Sequence, residues 1–173
     1  MLIRPTDDGS GKDADADPRE TCQTDAEEQP TGAEGLIRPA VRADIPRIFE
    51  IRHGVRENRL TDPGAVTEAD AKRFIEQGAL WVWQESDSPV AGFSASDRSG
   101  GSIWALFVAA GHEGKGIGRA LLQQACEALR EAGHREAWLT TEPGTRAERH
   151  YRAAGWTASG YSPKGELIFR KAL

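Results

Sequence analysis

The chain has 173 residues and a formal net charge of −5 at pH 7, a length that suits one domain with an extension better than two domains. The charge is uneven, because residues 1–35 hold ten acidic and three basic residues, a net −7, which leaves +2 for the rest. A nearly neutral domain excludes the strong basic field expected of a nucleic-acid-binding protein.

Residues 1–35 are predicted to be an acidic disordered tail, and residues 36–173 the folded domain. The tail is rich in Gly, Pro, Ser and Thr and poor in apolar residues, so it cannot bury enough surface to offset its chain entropy. The two cysteines do not make a disulfide framework. No apolar run approaches the roughly 20 residues of a membrane span, and the N-terminus lacks a signal-peptide core, so a soluble, cytoplasmic protein is expected.

The domain is predicted to begin with one strand and two helices. Residues 36–41 read as a strand, and a helical stripe runs from an N-cap at Asp44 to about Arg56. A second helix is capped by Thr67, with an acidic residue three positions on, and is closed by Gly78.

The remainder alternates between strands and helices. Strands are predicted at 79–85, 90–98, 102–108, 135–141, 156–161 and 166–171, and helices at 117–133 and 145–154. The order β-α-α-β-β-β-α-β-α-β-β implies an α/β or α+β domain, with one mixed sheet and helices on its faces.

A glycine-rich loop joins the strand at 102–108 to the following helix. Glycines at 114, 116 and 118 let main-chain N–H groups turn toward one point and keep side chains away from it. The positive end of the helix dipole, Lys115 and Arg119 add to the attraction for a phosphate or pyrophosphate. Taken alone, the glycines also fit a strand-to-helix connection without any ligand.

Two common phosphate motifs do not fit this loop. A P-loop would need lysine where Ile117 stands, and a dinucleotide fingerprint fails because its sixth position is Arg119 or Leu121 rather than glycine. Glu136, about 20 residues further on, is therefore not interpreted as a ribose-binding acid.

Two segments together resemble the GNAT (Gcn5-related N-acetyltransferase) superfamily. Residues 113–118 (EGKGIG) are similar to its [Q/R]-x-x-G-x-[G/A] signature, and residues 138–156 to its second signature, with Tyr151, Gly155 and Trp156 in place. The resemblance runs from about Leu36 to the C-terminus. It implies the acyl-CoA N-acyltransferase fold, a mixed, mostly antiparallel sheet of about seven strands flanked by four helices.

The resemblance also implies a site. The sheet would split between its fourth and fifth strands to admit acetyl-CoA, the acyl donor, and Tyr151 would be the general acid that protonates the leaving thiolate. The cofactor-binding residues would be Leu106, Phe107 and Val108 for the pantetheine and thioester, and Gly114, Lys115, Gly116, Ile117, Gly118 and Arg119 for the pyrophosphate.

The acceptor side is less determined by the sequence. Glu57 and Asn58 lie where this family commonly builds its acceptor pocket, although a solvated charge at a helix end fits Glu57 equally well. Glu142 is a weaker candidate for the base. Three departures from the family pattern are Glu113 in place of Gln or Arg, Gly144 in place of a frequent asparagine, and Thr140 in place of a glutamate base.

Other polar and aromatic residues are given structural interpretations. No metal is expected, because the four histidines show no ligand spacing with one another or with Cys126. His150 is interpreted as a surface or packing residue. Trp81, Trp83 and Trp104 fit the core best, with lining of an acceptor pocket as the alternative.

The sequence therefore predicts an N-acetyltransferase that acts on a primary amine, a small molecule or a peptide. The first alternative is a catalytically silent module that senses acyl-CoA, and the second is a protein with an interaction role alone. A homodimer is a tendency in families of this kind; nucleic acid and membrane are not expected partners.

Overall fold

The computed structural model describes residues 35–54 and 67–173. Its seven strands form one sheet in the order β1-β2-β3-β4-β5-β7-β6. The strands are β1 (Leu36–Pro39), β2 (Leu80–Gln84), β3 (Gly92–Asp97), β4 (Ser102–Val108), β5 (Glu136–Thr141), β6 (Thr157–Tyr161) and β7 (Leu167–Ala172). The tail predicted at 1–35 lies almost entirely outside the described residues and stays a prediction.

Four α-helices flank the sheet, as the sequence predicts. They are α1 (Ile45–Gly54), α2 (Glu68–Glu76), α3 (Ile117–Glu131) and α4 (Arg146–Ala153). The cap predicted for α2 is present: the Thr67 hydroxyl accepts from the Asp70 N–H at 3.2 Å, and the Asp70 carboxylate accepts from the Thr67 N–H at 2.9 Å. Reciprocal bonds of this kind satisfy two of the donors that a helix start leaves open.

The prediction that Asp44 caps the first helix is wrong. Asp44 belongs to a short 3₁₀ turn at residues 42–44, and α1 begins directly after it. Its carboxylate accepts from the Val41 N–H at 2.8 Å and from both terminal nitrogens of Arg38, at 2.8 and 2.9 Å. Asp44 thus joins β1 to the start of α1, because a bidentate guanidinium competes successfully for its two oxygens.

Side chains of the strands alternate between the two faces of the sheet. In β2, Leu80 and Val82 belong to the core beneath α1 and α2, whereas Trp81 and Trp83 pack with residues of α3. The fourth helix lies on the face of α3, since Tyr151 shares a core cluster with Leu122 and other α3 residues. The domain therefore has helices on both faces of one sheet.

The middle of the sheet opens between β4 and β5. These strands are the one parallel pair among the strands described, and only Ser102 and Trp138 are paired across them. By contrast, β5 pairs with β7 along its whole length, from Glu136 to Thr141. The main-chain groups from Leu106 to Val108 consequently have no partner on β5.

A β-bulge in β4 adjusts the side chains beside this opening. Ala95 faces Ala105 and Ser96 faces Ile103, so Trp104 is an extra residue in β4. A bulge turns its strand and redirects side chains. Here the Trp104 ring packs against Phe74 of α2, with ring centroids 4.4 Å apart.

Within the described ranges, none of the helices has the length and apolar character that crossing a membrane would require.

Candidate active site

The loop between β4 and α3 is held open by glycines with left-handed backbone angles. Gly111, Gly114 and Gly116 have φ of +82°, +77° and +82°, a region that L-residues with a Cβ adopt at a cost. A Cβ built on any of the three would meet no atom within 4 Å. The space beside the loop is therefore open, and no side chain of these glycines lies between it and the main chain.

The helix that follows supplies the donors. The α3 helix has 15 residues, and Gly116 is its N-cap without a side-chain hydrogen bond to the first turn. The first N–H groups of a helix have no partner within the helix, and the helix dipole places partial positive charge there. Arg119 in the first turn adds a full charge at the same place. This combination binds anions such as phosphates.

A cavity of about 620 Å³ runs from this loop along β4 to α4; we call it the glycine groove. Its volume lies in the range of small-molecule sites. Its walls are Gly54, Leu106, Phe107, Val108, Ala110, His112, Glu113, Gly114, Gly116, Gly118, Arg119, Arg146, Ala147, His150 and Tyr151. The end of the groove at the glycine loop is thus rich in N–H donors and charge, while the side formed by β4 is apolar.

Two of the predicted cofactor-binding residues are not part of these walls. Lys115 is exposed on the loop, outside the groove lining. Ile117 is buried and packs in the cluster with Trp81 and Trp83. Any contact of Ile117 with a ligand would therefore use its main-chain N–H rather than its side chain.

Glu113, which replaces the usual Gln or Arg, bonds to its own loop. Its carboxylate accepts from the Gly111 N–H at 2.8 Å. Hydrogen bonds from its own main-chain N–H and from that of Gly111, together with the charges of Arg146 and His112, lower the pKa of Glu113 despite slight burial. The side chain is thus occupied in fixing the loop, and Gly111 is removed from the donors available to a ligand.

The start of α4 is fixed by two local hydrogen bonds. The Thr145 hydroxyl accepts from the Glu148 N–H at 3.2 Å, and the Glu148 carboxylate accepts from the Gly144 N–H at 2.7 Å. Gly144, one of the three departures from the family pattern, is a left-handed glycine with φ of +78°. These bonds fix the first turn of α4, and therefore the direction in which its next turn faces the groove.

Tyr151 lies one turn and a half into α4, where the groove meets the core. It is 8% exposed, and its ring contacts Trp156 and Phe169, each at a centroid distance of 6.0 Å. Burial raises the pKa of the Tyr151 phenol, because the low-polarity surroundings disfavour the phenolate. The hydroxyl therefore stays protonated, as a hydrogen-bond donor, well above neutral pH.

His150 is part of the groove wall, which the sequence did not indicate beyond a packing role. Its Nε2 is buried without a hydrogen-bond partner and lies 3.7 Å from the position of a Cβ on Gly118. Burial, then the charge of Arg146, lower the pKa of His150, so the ring is neutral at pH 7. The imidazole therefore lies close to the first turn of α3, at a distance where a Cβ on Gly118 would make ordinary van der Waals contact with it.

A second cavity, of about 240 Å³, lies on the face of α1 and α2; we call it the Arg52 pocket. It shares Leu106, Phe107 and Tyr151 with the glycine groove, so these three residues separate the two cavities. The remaining walls are Ile48, Phe49, Arg52, Ala71, Leu80, Phe93, Ile103, Trp104, Ala105, Leu139, Thr140 and Glu166. Of the three tryptophans considered from the sequence, Trp104 alone lines it, because Trp81 and Trp83 face α3.

Of the described residues that line the Arg52 pocket, Glu166 is the acidic one, and sequence reasoning missed it. Thr140 of β5 pairs with Ile168 of β7, and Glu166 lies two residues before Ile168, in line with the same face of the sheet. Only the β6–β7 hairpin brings it to the pocket, so no local motif could have indicated it. Glu142, the weaker candidate base, is exposed and outside both cavities. Glu57 and Asn58 lie outside the described residues.

The described residues contain no group of three or more His, Cys, Asp or Glu side chains placed to hold a metal ion. What they do contain is a loop rich in main-chain N–H donors and free of side chains at its glycines, next to an apolar segment of β4, residues 106–108, that has no pairing partner on β5. Such a site has the chemistry that suits an extended ligand with a phosphate-bearing end and an apolar or amide-bearing arm.

The chain belongs to the acetyltransferase (GNAT) family, whose model matches residues 45–156. It is 36% identical over 98 residues to streptothricin acetyltransferase of Streptomyces lavendulae, a match that covers 54% of this chain and 48% of that protein. The chain thus matches about half the length of this curated relative.

Solved structures agree with the fold. The structure of yncA from Salmonella typhimurium with its cofactor acetyl-CoA has a TM-score of 0.66 and 22% identity, covering 80% of this chain and 94% of that one. Ribosomal-protein-alanine N-acetyltransferase from Brucella melitensis has a TM-score of 0.63 and 22% identity, covering 80% and 99%. The acyl-CoA N-acyltransferase fold expected from the sequence is confirmed.

Proposed function

We propose that this protein is an N-acetyltransferase that moves the acetyl group of acetyl-CoA to a primary amine by direct attack. The observation that carries the proposal is the shared wall of the two cavities, formed by Leu106, Phe107 and Tyr151. A donor in the glycine groove and an acceptor in the Arg52 pocket would meet there, at the opening between β4 and β5.

The glycine groove suits the donor in both its polar and its apolar part. Main-chain N–H groups from Gly114 to Arg119, with the Arg119 guanidinium, would hold the pyrophosphate. The main-chain groups from Leu106 to Val108, which lack partners on β5, would bind the amides of the pantetheine arm in the manner of an added strand.

Acetyl-CoA supplies a thioester carbonyl whose carbon the amine nitrogen attacks. A main-chain N–H of the Leu106–Val108 segment would stabilise the negative charge that develops on the carbonyl oxygen. Holding the neutral amine against the thioester would supply a large part of the rate enhancement. As the C–N bond forms and the C–S bond breaks, the departing thiolate needs a proton.

Tyr151 would donate that proton. Its raised pKa keeps the phenol protonated but also makes it a weaker acid than a thiol, whose pKa is about 8.5. Transfer from Tyr151 to sulfur is therefore unfavourable in water and depends on the dry site, where low polarity destabilises the thiolate as well as the phenolate. The nitrogen releases its second proton as the amide forms, and water carries that proton to the phenolate. The amine reaches the pocket as an ammonium ion, and Glu166, with water, is the acceptor for its proton.

The test is release of free CoA from acetyl-CoA with a panel of amines that includes streptothricin and short peptides. Tyr151→Phe keeps the ring contacts and removes the proton. We expect kcat to fall about 10²-fold or more, while acetyl-CoA raises the melting temperature of both proteins equally, because a ligand of the native state stabilises it. Stabilisation by acetyl-CoA without turnover on any amine would instead identify an acyl-CoA sensor. No stabilisation by any acyl-CoA would leave only an interaction role.

A further inference from the structure

The Arg52 pocket contains charges of both signs in an otherwise apolar lining. Among the residues that the structure describes, its titratable side chains are Arg52, Glu166 and Tyr151, and the phenol of Tyr151 is neutral. A pocket that selected only for a cationic amine would gain from Glu166 but would be opposed by the nearby guanidinium. Arg52 therefore indicates that the acceptor carries, besides its amine, a second group that suits a guanidinium.

Arg52 is held toward the pocket by the helix that carries it. It lies four residues after Ile48, which is buried in the core and also lines the pocket, and residues at this spacing share one face of a helix. Arg52 is half-buried, and burial lowers its pKa. A guanidinium that has lost part of its hydration favours an anion, and its five N–H donors exceed what one partner can accept.

Glu166 faces the same pocket from the β6–β7 hairpin. The Ser162 hydroxyl donates to its Oε2 at 3.2 Å, and the Ser162 main-chain N–H donates to the Glu166 carbonyl at 2.8 Å. These bonds fix the carboxylate in place, and each carboxylate oxygen can accept more than one hydrogen bond. An ammonium group is the natural partner for the remaining acceptor positions.

We propose that the acceptor is a small amino carboxylate, that is, an amino acid or a similar compound whose carboxylate binds Arg52 while its amine lies between Glu166 and Tyr151. This inference rests on the proposed acetyl transfer. The apolar walls from Phe49 and Trp104 would take the side chain. A volume of about 240 Å³, roughly that of eight water molecules, suits a molecule of this size.

The test compares matched acceptors that differ only in the carboxylate: leucine with isoamylamine and leucinamide, and phenylalanine with phenethylamine and phenylalaninamide. Wild-type kcat/KM should be roughly 10- to 100-fold higher for the better amino acid than for its decarboxylated amine, as expected for a charged hydrogen-bonded pair. Arg52→Met should remove this preference, so that kcat/KM for each amino acid falls close to the value for its decarboxylated amine. Arg52→Lys should retain part of it, because it keeps the charge but not the planar fork.

Arg42→Met is the matched control. Arg42 pairs with Glu76 on the surface, and its side chain is 68% exposed, outside both cavities, so the preference should persist. Equal loss on all acceptors in Arg52→Met, or a wild type that favours amines without a carboxylate, would overturn the inference.

Calorimetry of the full chain saturated with CoA separates this inference from the proposed transfer. Binding of leucine over isoamylamine that depends on Arg52 supports the carboxylate site even where turnover is absent, and in that case the transfer reaction fails instead. Turnover without a carboxylate preference rejects the carboxylate site alone. Neither turnover nor preference rejects both.

Discussion

The glycine groove and the Arg52 pocket differ in the part of the chain from which each is built. The groove depends on main-chain N–H groups of one continuous loop and helix start, at residues 114–119, and on one segment of β4 that lacks partners on β5. The pocket depends on side chains from α1, α2, β4, β5 and the β6–β7 hairpin. The groove is a local structure, whereas the pocket is formed by elements that are distant from one another in the sequence.

This difference has a consequence for specificity. A site built from main-chain groups is insensitive to most side-chain substitutions, so the chemical class of its ligand stays the same. A side-chain pocket can change its ligand by exchanging one residue, for example Arg52 or Glu166. We therefore expect mutations in the two regions to separate effects on the donor from effects on the acceptor, and the following predictions test that separation, from the largest effect to the smallest.

The largest effect on stability is expected for Asp44→Ala, beneath the helix that carries Arg52. Asp44 is 8% exposed; burial alone would raise its pKa, but the hydrogen bonds from Arg38 and Val41 outweigh it and lower the pKa. Loss of these bonds should lower the free energy of unfolding by about 2–3 kcal/mol, measured by urea denaturation. At temperatures where the variant is folded, KM for the amine should rise more than KM for acetyl-CoA.

Glu76→Ala is the control for that variant. It removes the Arg42–Glu76 pair, whose side chains are 68% and 58% exposed, and exposed pairs contribute less than about 1 kcal/mol. Similar losses in the two variants would show that the Arg38–Asp44 pair is no more than a surface interaction.

The glycine groove should be sensitive to backbone angle rather than to side-chain loss. Gly116→Ala forces a Cβ onto φ of +82°, which costs about 1–2 kcal/mol. The free loop can relax from this angle but must regain it to present its N–H groups to a ligand, so the Kd for acetyl-CoA measured by calorimetry should rise about tenfold. Gly118→Ala should be milder, because its φ is ordinary and its Cβ would lie 3.6 Å from Val108 and 3.7 Å from His150. A greater loss of affinity in Lys115→Ala than in Gly116→Ala would contradict a main-chain site.

A pH dependence is expected at the wall between the two regions. Burial raises the pKa of Tyr151 above the value of about 10 in an unfolded chain. Above pH 10 the unfolded chain releases a proton that the folded protein retains, so stability should fall by up to about 1.4 kcal/mol per pH unit. Tyr151→Phe lacks this contribution. Urea denaturation at pH 9 and 11 should show a steeper loss for the wild type, and equal losses would refute a buried neutral phenol.

The smallest effect is expected for His150 at low pH. Burial, with Arg146, lowers the pKa of His150, so the unfolded chain binds a proton below about pH 6.5 that the folded protein binds only at lower pH. Stability should therefore fall as the pH drops from 7.5 to 5.5, and His150→Gln should reduce this fall by a few tenths of a kcal/mol, since the ring is only half-buried. If the variant and the wild type lose stability in parallel, the imidazole is as hydrated in the folded chain as in the unfolded one.

The elements of the fold were predictable because their signals are local. The capping box at Thr67 and Asp70 and the left-handed Gly116 before α3 are short patterns with a direct backbone cause. Asp44 shows the limit of such patterns. Its type and position fit an N-cap, but Arg38, which comes from the strand before it, takes the carboxylate.

The sequence by itself determined the order of helices and strands, the glycine-rich loop and the position of Tyr151 in α4, because each is encoded within a few consecutive residues. Only the tertiary structure decided that Arg52, Trp104, Thr140 and Glu166 share one pocket, and that His150 joins the groove wall. Those residues are brought together by sheet register, by the bulge at Trp104 and by the packing of α4 in one core cluster with α3. Contacts of that kind depend on the packing of the whole domain, which no short stretch of sequence specifies.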